Sequence, residues 1–293
     1  MACAIPPSRG FIPVAYGPDP SQFGDLYLPD VAGPNPVVVT IHGGFWRSMY
    51  GLGEIQDVAA ALADAGYAVW NIEYRRIGQP GGGYPGTLED VARAIDYLGV
   101  LGPQYGLNLN QVITVGHSAG GHLALWAAGR PTEVGATGGA GAGRPTEVGA
   151  TRGAGAKRPT EVGATTGATA SVAVRGAVAL CGVVDLGEGW RRDLGQGVIG
   201  SFIGGSPMER PERYAAASPM AMLPLGVRQA LVHGVEDDTV PLALSEGYAA
   251  AARAAGDDVM LDALPGMGHF EVVDPLSPAW PHVLAAVEWA FGP

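Results

Sequence analysis

The chain has few charged residues, and positive charge is scarcest. Asp, Glu, Lys and Arg make up only 15% of its 293 residues, with 28 acidic against 17 basic side chains. A formal net charge of −11, with no stripe rich in Lys and Arg, argues against binding to nucleic-acid phosphates or to anionic membrane surfaces. We therefore expect neither a nucleic acid nor a membrane as a partner.

Cysteine is nearly absent, and long apolar runs do not occur. The two cysteines are Cys3, in the N-terminal tail, and Cys181, in an apolar run, which argues against a disulfide framework and against a zinc cluster. No apolar run reaches the roughly 18 residues of a transmembrane helix, and the N-terminus lacks the pattern of a signal peptide. We expect a cytoplasmic protein without metal or cofactor.

Apolar runs typical of buried strands alternate with segments of helical period. Strands are predicted at residues 37–41, 67–74, 111–117, 175–184, 228–234 and 258–265, because these runs are rich in β-branched and other apolar side chains. Helices are predicted between them, including 241–256 with Pro241 at its first position and 277–291 capped by Ser277. Such alternation predicts an α/β fold with a mostly parallel sheet covered on both faces, preceded by an antiparallel hairpin near 11–16 and 24–28.

One segment interrupts this pattern. Three copies of RPTEVGAT, 14 residues apart, occupy about 129–171 together with Gly and Ala filler that offers little to bury. We interpret the segment as a flexible surface insertion in a single domain spanning 1–293, because its composition does not offset the entropy of ordering it. A second unusual segment, about 186–225, carries Trp190 and other large apolar side chains and is either an apolar cap over a substrate or additional core.

The sequence GHSAG, residues 116–120, matches the G-x-S-x-G pattern and lies between a predicted strand and a predicted helix. A serine on such a sharp turn projects above the sheet, and the glycines permit the close chain approach that the turn requires. The helix N-terminus behind it favours developing negative charge. Ser118 is therefore the predicted nucleophile.

HGGFW, residues 42–46, follows the first central strand. An oxyanion intermediate needs two or three backbone N–H donors, which Gly44 and Phe45 in this loop and Ala119 after the nucleophile are placed to supply. We expect His42 to hold this loop in place.

The catalytic base must approach the serine from a loop at the carboxyl edge of the sheet. Of the six histidines, only His269 follows the last predicted strand, in the glycine-rich loop PGMGHF. The preceding strand ends in HGVEDDTVP, which offers Glu236, Asp237 and Asp238 as candidate acids. Composition does not choose between the neighbouring Asp residues, and Asp185 is a weaker candidate.

Together, GHSAGG, HGGFW and HGVEDDTVP resemble motifs of the α/β-hydrolase esterases that include kynurenine formamidase and the BD-FAE-like carboxylesterases. The resemblance covers most of the chain outside 129–171 and implies an α/β-hydrolase fold. The family pattern HGxxDxxVP implies that Asp237 is the acid. HGGFW is similar to the HGGYW-type loop of kynurenine formamidases.

These expectations define a serine carboxylesterase that cleaves a small or medium acyl or aryl ester through an acyl-enzyme, with a small-molecule ester or amide as its partner. The alternatives are an arylformamidase acting on N-formylkynurenine and a non-catalytic ligand-binding homologue. The presence of all three triad residues argues against the latter. We expect Trp46, Met267 and Trp190 to contribute to the substrate pocket.

Overall fold

The computed structural model describes residues 10–131 and 171–292. The predicted repeat insertion lies almost wholly outside these ranges. The described part of the chain contains eight strands in one sheet, in the order β1-β2-β4-β3-β5-β6-β7-β8. In chain order the strands are β1 Ile12–Ala15, β2 Phe23–Tyr27, β3 Asn35–Ile41, β4 Ala68–Ile72, β5 Leu107–His117, β6 Gly176–Leu180, β7 Arg228–Gly234 and β8 Val259–Leu264.

The strand directions follow the predicted topology. β1 and β2 form an antiparallel hairpin at one edge, β2 pairs antiparallel with β4, and every other neighbouring pair is parallel. A parallel strand must be reached by a crossover, and these crossovers contain all the helices named below except the last, which follows β8. The helices are α1 Gln56–Asp64, α2 Gly86–Asp96, α3 Leu98–Tyr105, α4 Ala119–Gly129, α5 Leu186–Arg191, α6 Val198–Ile203, α7 Pro211–Ala217, α8 Ala243–Ala254 and α9 Trp280–Phe291.

The sheet is buried on both faces because its strands alternate side chains between two apolar layers. β3 directs Val37 and Val39 into the layer shared with α2, α4 and α8, whereas Val38 enters the layer shared with α1 and α9. This double burial accounts for the continuous apolar runs in the sequence. The fold is the α/β architecture that the alternation predicted. No helix in residues 10–131 or 171–292 is long and apolar enough to span a bilayer.

Two predicted helix starts are wrong by up to a turn. α8 begins at Ala243, so Pro241 precedes it instead of occupying its first position. α9 begins at Trp280, and Ser277 lies in the preceding turn, where its hydroxyl accepts the Ala279 amide at 3.2 Å. In both cases the turn before the helix carries the proline or serine that the sequence pattern assigned to the helix itself.

Residues 186–225 form α5, α6, α7 and a short 3-10 turn at Pro219–Met222. Phe202, Ile203 and Tyr214 from this segment are buried in the same apolar layer as α2 and α4. Trp190 and Met208 are exposed, at 39% and 91% of their surface. The segment is thus largely part of the main core, with exposed apolar side chains at its surface.

Candidate active site

The predicted nucleophile lies on the turn between β5 and α4. Ser118 has φ 55° and ψ −116°, a strained conformation for a residue with a side chain, and it is the residue immediately before α4. The turn is possible because a β-carbon at Gly116 would lie 2.0 Å from the Gly120 carbonyl oxygen, and one at Gly120 would lie 2.0 Å from that of Ile41. The glycines of GHSAG are therefore required by close chain approach, as the motif predicted.

The loop after β3 packs directly on this turn. A β-carbon at Gly43 would lie 3.1 Å from the β-carbon of Ser118, so the loop backbone passes beside the nucleophile. Gly44, Phe45 and Trp46 have φ values of 91°, 51° and 54°, three left-handed residues in succession. Within residues 10–131 and 171–292, the backbone amides of Gly44 and Phe45 donate no hydrogen bond to a backbone carbonyl oxygen. Gly44 and Phe45 are half-buried, so amides that no backbone acceptor engages are available there to a polar ligand atom.

His42 anchors the loop from behind. Its Nε2 lies 2.9 Å from Oε1 of Glu73, its ring stacks on Tyr74 at 4.3 Å, and Tyr74 donates its hydroxyl to the His42 carbonyl oxygen at 2.8 Å. Glu73 is buried, which opposes its ionisation, but bonds from His42 and Arg76 hold the pKa of its carboxyl below the usual value. These contacts fix the backbone of the loop and engage the His42 ring away from any proton-transfer role.

His269 and Asp237 lie together at the carboxyl ends of β8 and β7. His269 Nδ1 lies 2.6 Å from Oδ2 of Asp237, and both side chains are almost fully buried. Because a carboxylate accepts only, Nδ1 carries the proton and the neutral ring keeps Nε2 free to accept another. This is the orientation that a catalytic base requires.

The environment keeps Asp237 ionised. Burial opposes ionisation, but hydrogen bonds from His233, His269 and the Val240 amide hold the pKa of the Asp237 carboxyl far below its usual range. Oδ1 accepts the amides of Thr239 and Val240 at 2.8 and 2.7 Å, which leaves Oδ2 for His269. The geometry therefore separates Asp237 from its neighbour Asp238, which is exposed and accepts the Thr239 hydroxyl.

The environment also keeps His269 neutral. Burial lowers the pKa of its imidazole, the neighbouring His117 and His233 lower it further, and Asp237 opposes the shift. The His269 ring lies 4.6 Å from the ring of His117, the residue before Ser118. The loop that carries His269 therefore lies against the turn that carries Ser118.

The remaining candidates have other partners. Asp185 caps α5 by accepting the Glu188 amide at 3.0 Å, and Glu236 is exposed. His122 is buried and donates from Nε2 to the Ala217 carbonyl oxygen, and burial lowers its pKa to about 4. His282 pairs with Asp262 at 2.7 Å on the surface.

One group of possible metal ligands occurs among the described residues, formed by Cys181, His233 and Asp237. Both ring nitrogens of His233 are already bonded, Nδ1 to the Ser245 hydroxyl and Nε2 to the Val240 carbonyl oxygen, each at 2.8 Å. Burial strongly raises the pKa of the Cys181 thiol, which disfavours the thiolate that metals require. Cys181 and His233 therefore surround Asp237, the predicted acid, and the three residues do not form a metal site.

The three predicted substrate-binding residues lie in different environments. Trp46 is fully buried, stacked on Phe202 at 4.5 Å and edge-on to His122, so its indole has no exposed surface. Trp190 is partly exposed on α5, close to Gly200 of α6. Met267 is half-buried in a cleft with Pro278 and His282. Trp46 therefore has no exposed surface to offer a substrate, whereas Trp190 and Met267 are partly exposed.

Sequence reasoning missed two acidic residues of the site. Glu73 pairs with His42, and Glu54, from the 3-10 turn Leu52–Ile55, pairs with His117 and accepts the Gly43 amide at 2.9 Å. Neither contact has a signal in sequence spacing, since the paired residues are 31 and 63 positions apart.

A serine on a strained strand-to-helix turn, with a His–Asp pair on loops at the carboxyl ends of the last two parallel strands, defines the α/β-hydrolase class. Comparison with known proteins makes the assignment more specific. Residues 24–251 match the BD-FAE family, and the chain belongs to this α/β-hydrolase esterase family.

Curated relatives carry esterase names. The probable isoprenylcysteine alpha-carbonyl methylesterase ICME of Oryza sativa subsp. japonica is 29% identical over 273 residues, which cover 90% of this chain and 59% of that protein. The probable carboxylic ester hydrolase LipM of Mycobacterium tuberculosis is 32% identical over 104 residues, or 36% of this chain and 24% of LipM. The chain thus spans only 59% of the length of the rice relative.

Solved structures share the fold. A truncated carbohydrate esterase from gut microbiota superposes with a TM-score of 0.72 at 21% identity, covering 96% of this chain and 95% of the other. Esterase 2 of the Planctomycetes species Thermogutta terrifontis, with propionate bound, gives a TM-score of 0.70 at 20% identity, covering 97% and 94%. At these identities the likeness establishes the fold alone.

Proposed function

We propose that this protein is a serine hydrolase that cleaves carboxylic esters of small or medium acyl or aryl groups through an acyl-enzyme. The observation that carries the proposal is the strained Ser118 at the β5–α4 turn beside a buried His269–Asp237 pair. Membership of an esterase family and the esterase names of the relatives support the same chemistry.

In the proposed first step, the Ser118 hydroxyl oxygen attacks the ester carbonyl carbon while His269 Nε2 takes its proton. Asp237 holds the Nδ1 proton and stabilises the imidazolium as it forms. The negative charge on the former carbonyl oxygen is accepted by the amides of Gly44, Phe45 and Ala119. His269 then protonates the leaving alcohol, and the acyl group remains on Ser118.

In the second step, water attacks the acyl-enzyme with His269 again acting as the base. Collapse of the second tetrahedral intermediate releases the carboxylic acid and returns the proton to Ser118. Every proton moves between the substrate, water, Ser118 and His269, so the proposed reaction needs no redox cofactor.

The leading test is a substrate panel assayed with the wild type and Ser118→Ala. p-Nitrophenyl acetate and butyrate represent the esters, and a prenylcysteine methyl ester represents the class named by the rice relative. We expect hydrolysis by the wild type and a loss of about 10⁵-fold or more in Ser118→Ala. Full activity in Ser118→Ala would exclude the proposed nucleophile.

N-Formylkynurenine belongs in the same panel because HGGFW is similar to the loop of kynurenine formamidases. We propose formamide hydrolysis as the second candidate activity, since both reactions need the same attack on a carbonyl carbon. The ratio of ester to formamide kcat/KM decides between them. A higher value for the formamide would replace the ester proposal.

A further inference from the structure

A further histidine–carboxylate pair, His117–Glu54, lies at the nucleophile turn. His117, the residue before Ser118, is 1% exposed. Its Nδ1 faces Oε1 of Glu54 in a short contact, and its Nε2 lies 2.9 Å from the backbone carbonyl oxygen of His269. Neither group takes part in the proton transfers described above.

The acceptors around His117 determine its protonation. The carbonyl oxygen of His269 can only accept, so Nε2 must carry a proton. Oε2 of Glu54 accepts the Gly43 amide at 2.9 Å, and Oε1 faces Nδ1. An ionised Glu54 therefore requires the second proton on Nδ1, which makes His117 an imidazolium.

The charges that face the pair favour this ionised form. Burial opposes the charge on both groups, but each charged group stabilises the charge of the other. This attraction raises the pKa of His117 and lowers the pKa of Glu54. Asp237, from the loop after β7, adds to the shift of His117, and His42, from the loop after β3, adds to that of Glu54. The neighbouring His269 is held neutral, so it does not compete.

The pair connects three segments of the site. Glu54 accepts the Gly43 amide and so holds the loop with the predicted oxyanion donors. His117 belongs to the nucleophile turn, and its Nε2 donates to the backbone carbonyl oxygen of His269, which holds the loop that carries the base. The two imidazole rings are 4.6 Å apart, so a positive charge on His117 disfavours a positive charge on His269.

We propose that Glu54 and His117 form a charged positioning pair. The pair aligns the loop 42–46, which carries the predicted oxyanion donors, with the loop that carries His269, and it keeps His269 unprotonated until His269 accepts the proton of Ser118. This role rests on the hydrolysis proposed above. Both are positioning residues, because they act through Gly43 and His269 and not on the substrate.

The test uses Glu54→Gln, which keeps the shape and an acceptor for the Gly43 amide but removes the charge. We expect kcat to fall by about 10-fold to 100-fold, with a much smaller change in KM, because misplaced catalytic groups slow the reaction more than they weaken binding. The acid limb of kcat/KM should move to higher pH, because His269 loses a neighbouring cation. Glu212→Gln, an exposed residue on α7, is the matched control and should leave both quantities unchanged.

Histidine side-chain ¹⁵N NMR of the full chain tests the pair without any turnover. In the wild type at pH 7 we expect both ring nitrogens of His117 to be protonated, and in Glu54→Gln only one. His117→Gln identifies the signals and serves as the second variant if Glu54→Gln does not fold. A wild-type His117 that is neutral at pH 7 would overturn the proposal.

The kinetic and NMR results separate the two proposals. An unshifted acid limb together with unchanged kcat in folded Glu54→Gln would overturn the positioning role while leaving the hydrolase intact. If the wild type hydrolyses no member of the panel, the proposed function fails, and the NMR protonation state still decides whether the charged pair exists.

Discussion

The histidine–carboxylate pairs His269–Asp237 and His117–Glu54 lie next to each other at the site, with their imidazole rings 4.6 Å apart, and they hold their protons differently. In His269–Asp237 one ring nitrogen faces a carboxylate and the other remains available, and burial together with the nearby His117 lowers the pKa of His269 although Asp237 opposes the shift. In His117–Glu54 both ring nitrogens face acceptors, so the pKa of His117 is raised. Residue type alone thus does not determine the role of a histidine, because the acceptor opposite its second nitrogen decides whether it moves a proton or keeps one.

Among changes to the two pairs, the largest expected effect comes from removing the histidine that moves the proton. His269→Gln should lower kcat/KM for p-nitrophenyl acetate by about 10⁵-fold, because His269 is the proposed base and Asp237 holds its ring in the required tautomer. His282→Gln is the control, since His282 pairs with Asp262 on the surface, and should retain full activity. Comparable losses in the two variants would indicate general damage to the fold.

Asp237→Asn should have the next largest effect, about 10³-fold to 10⁴-fold on kcat, because an amide at this position favours the wrong tautomer of His269. Asp238→Asn changes the adjacent carboxyl in the same way and should leave kcat within about twofold, because Asp238 is exposed and bonds only locally. A greater loss in Asp238→Asn than in Asp237→Asn would reassign the acid.

The pH profile distinguishes the two histidines in the wild type. The base must be neutral, so activity falls as the pH drops through the pKa of His269, which burial and His117 lower. We therefore expect the acid limb of kcat/KM to lie below the ordinary histidine pKa of about 6.5. An acid limb above that value would mean that His117 carries no positive charge or that another group is the base.

The smallest expected effect concerns a side chain outside both pairs. Trp190 is partly exposed on α5 and is a predicted substrate contact. Trp190→Ala should raise KM for an aryl ester by several-fold and leave kcat nearly unchanged, because one apolar contact contributes about 1–2 kcal/mol to binding. Val31→Ala is the control, because Val31 is exposed in the loop before β3, outside the segment 186–225. Equal KM values in wild type and Trp190→Ala would remove Trp190 from the pocket.

The sheet was predictable because its strands are buried on both faces and their apolar runs are unmistakable. Ser118 and His269 were also accessible to sequence reasoning, since each follows a strand and therefore lies at the carboxyl edge of the parallel sheet. The same argument placed the HGGFW loop beside Ser118, as the close approach of Gly43 shows. The same reasoning left Glu236, Asp237 and Asp238 as candidate acids, and only the resemblance to the family pattern HGxxDxxVP selected Asp237.

Contacts between distant parts of the chain were not predictable in this way. Glu54 lies in a short 3-10 turn, and its distance from His117 depends on how the β3–β4 connection folds back over β5. Trp46 was expected at the substrate, but Phe202 from the segment 186–225 covers it, and sequence pattern gives no sign of that contact. Local pattern identifies elements, and tertiary packing decides which side chains remain exposed.

Location of a covalent label tests the central claim most directly. The wild type and Ser118→Ala are each incubated with a fluorophosphonate, and the modified peptide is identified by mass spectrometry. The account predicts one adduct on Ser118 in the wild type, formed in step with the loss of esterase activity, and none in Ser118→Ala. An adduct on another residue that accompanies inactivation, or continued hydrolysis by the fully labelled protein, would contradict the account.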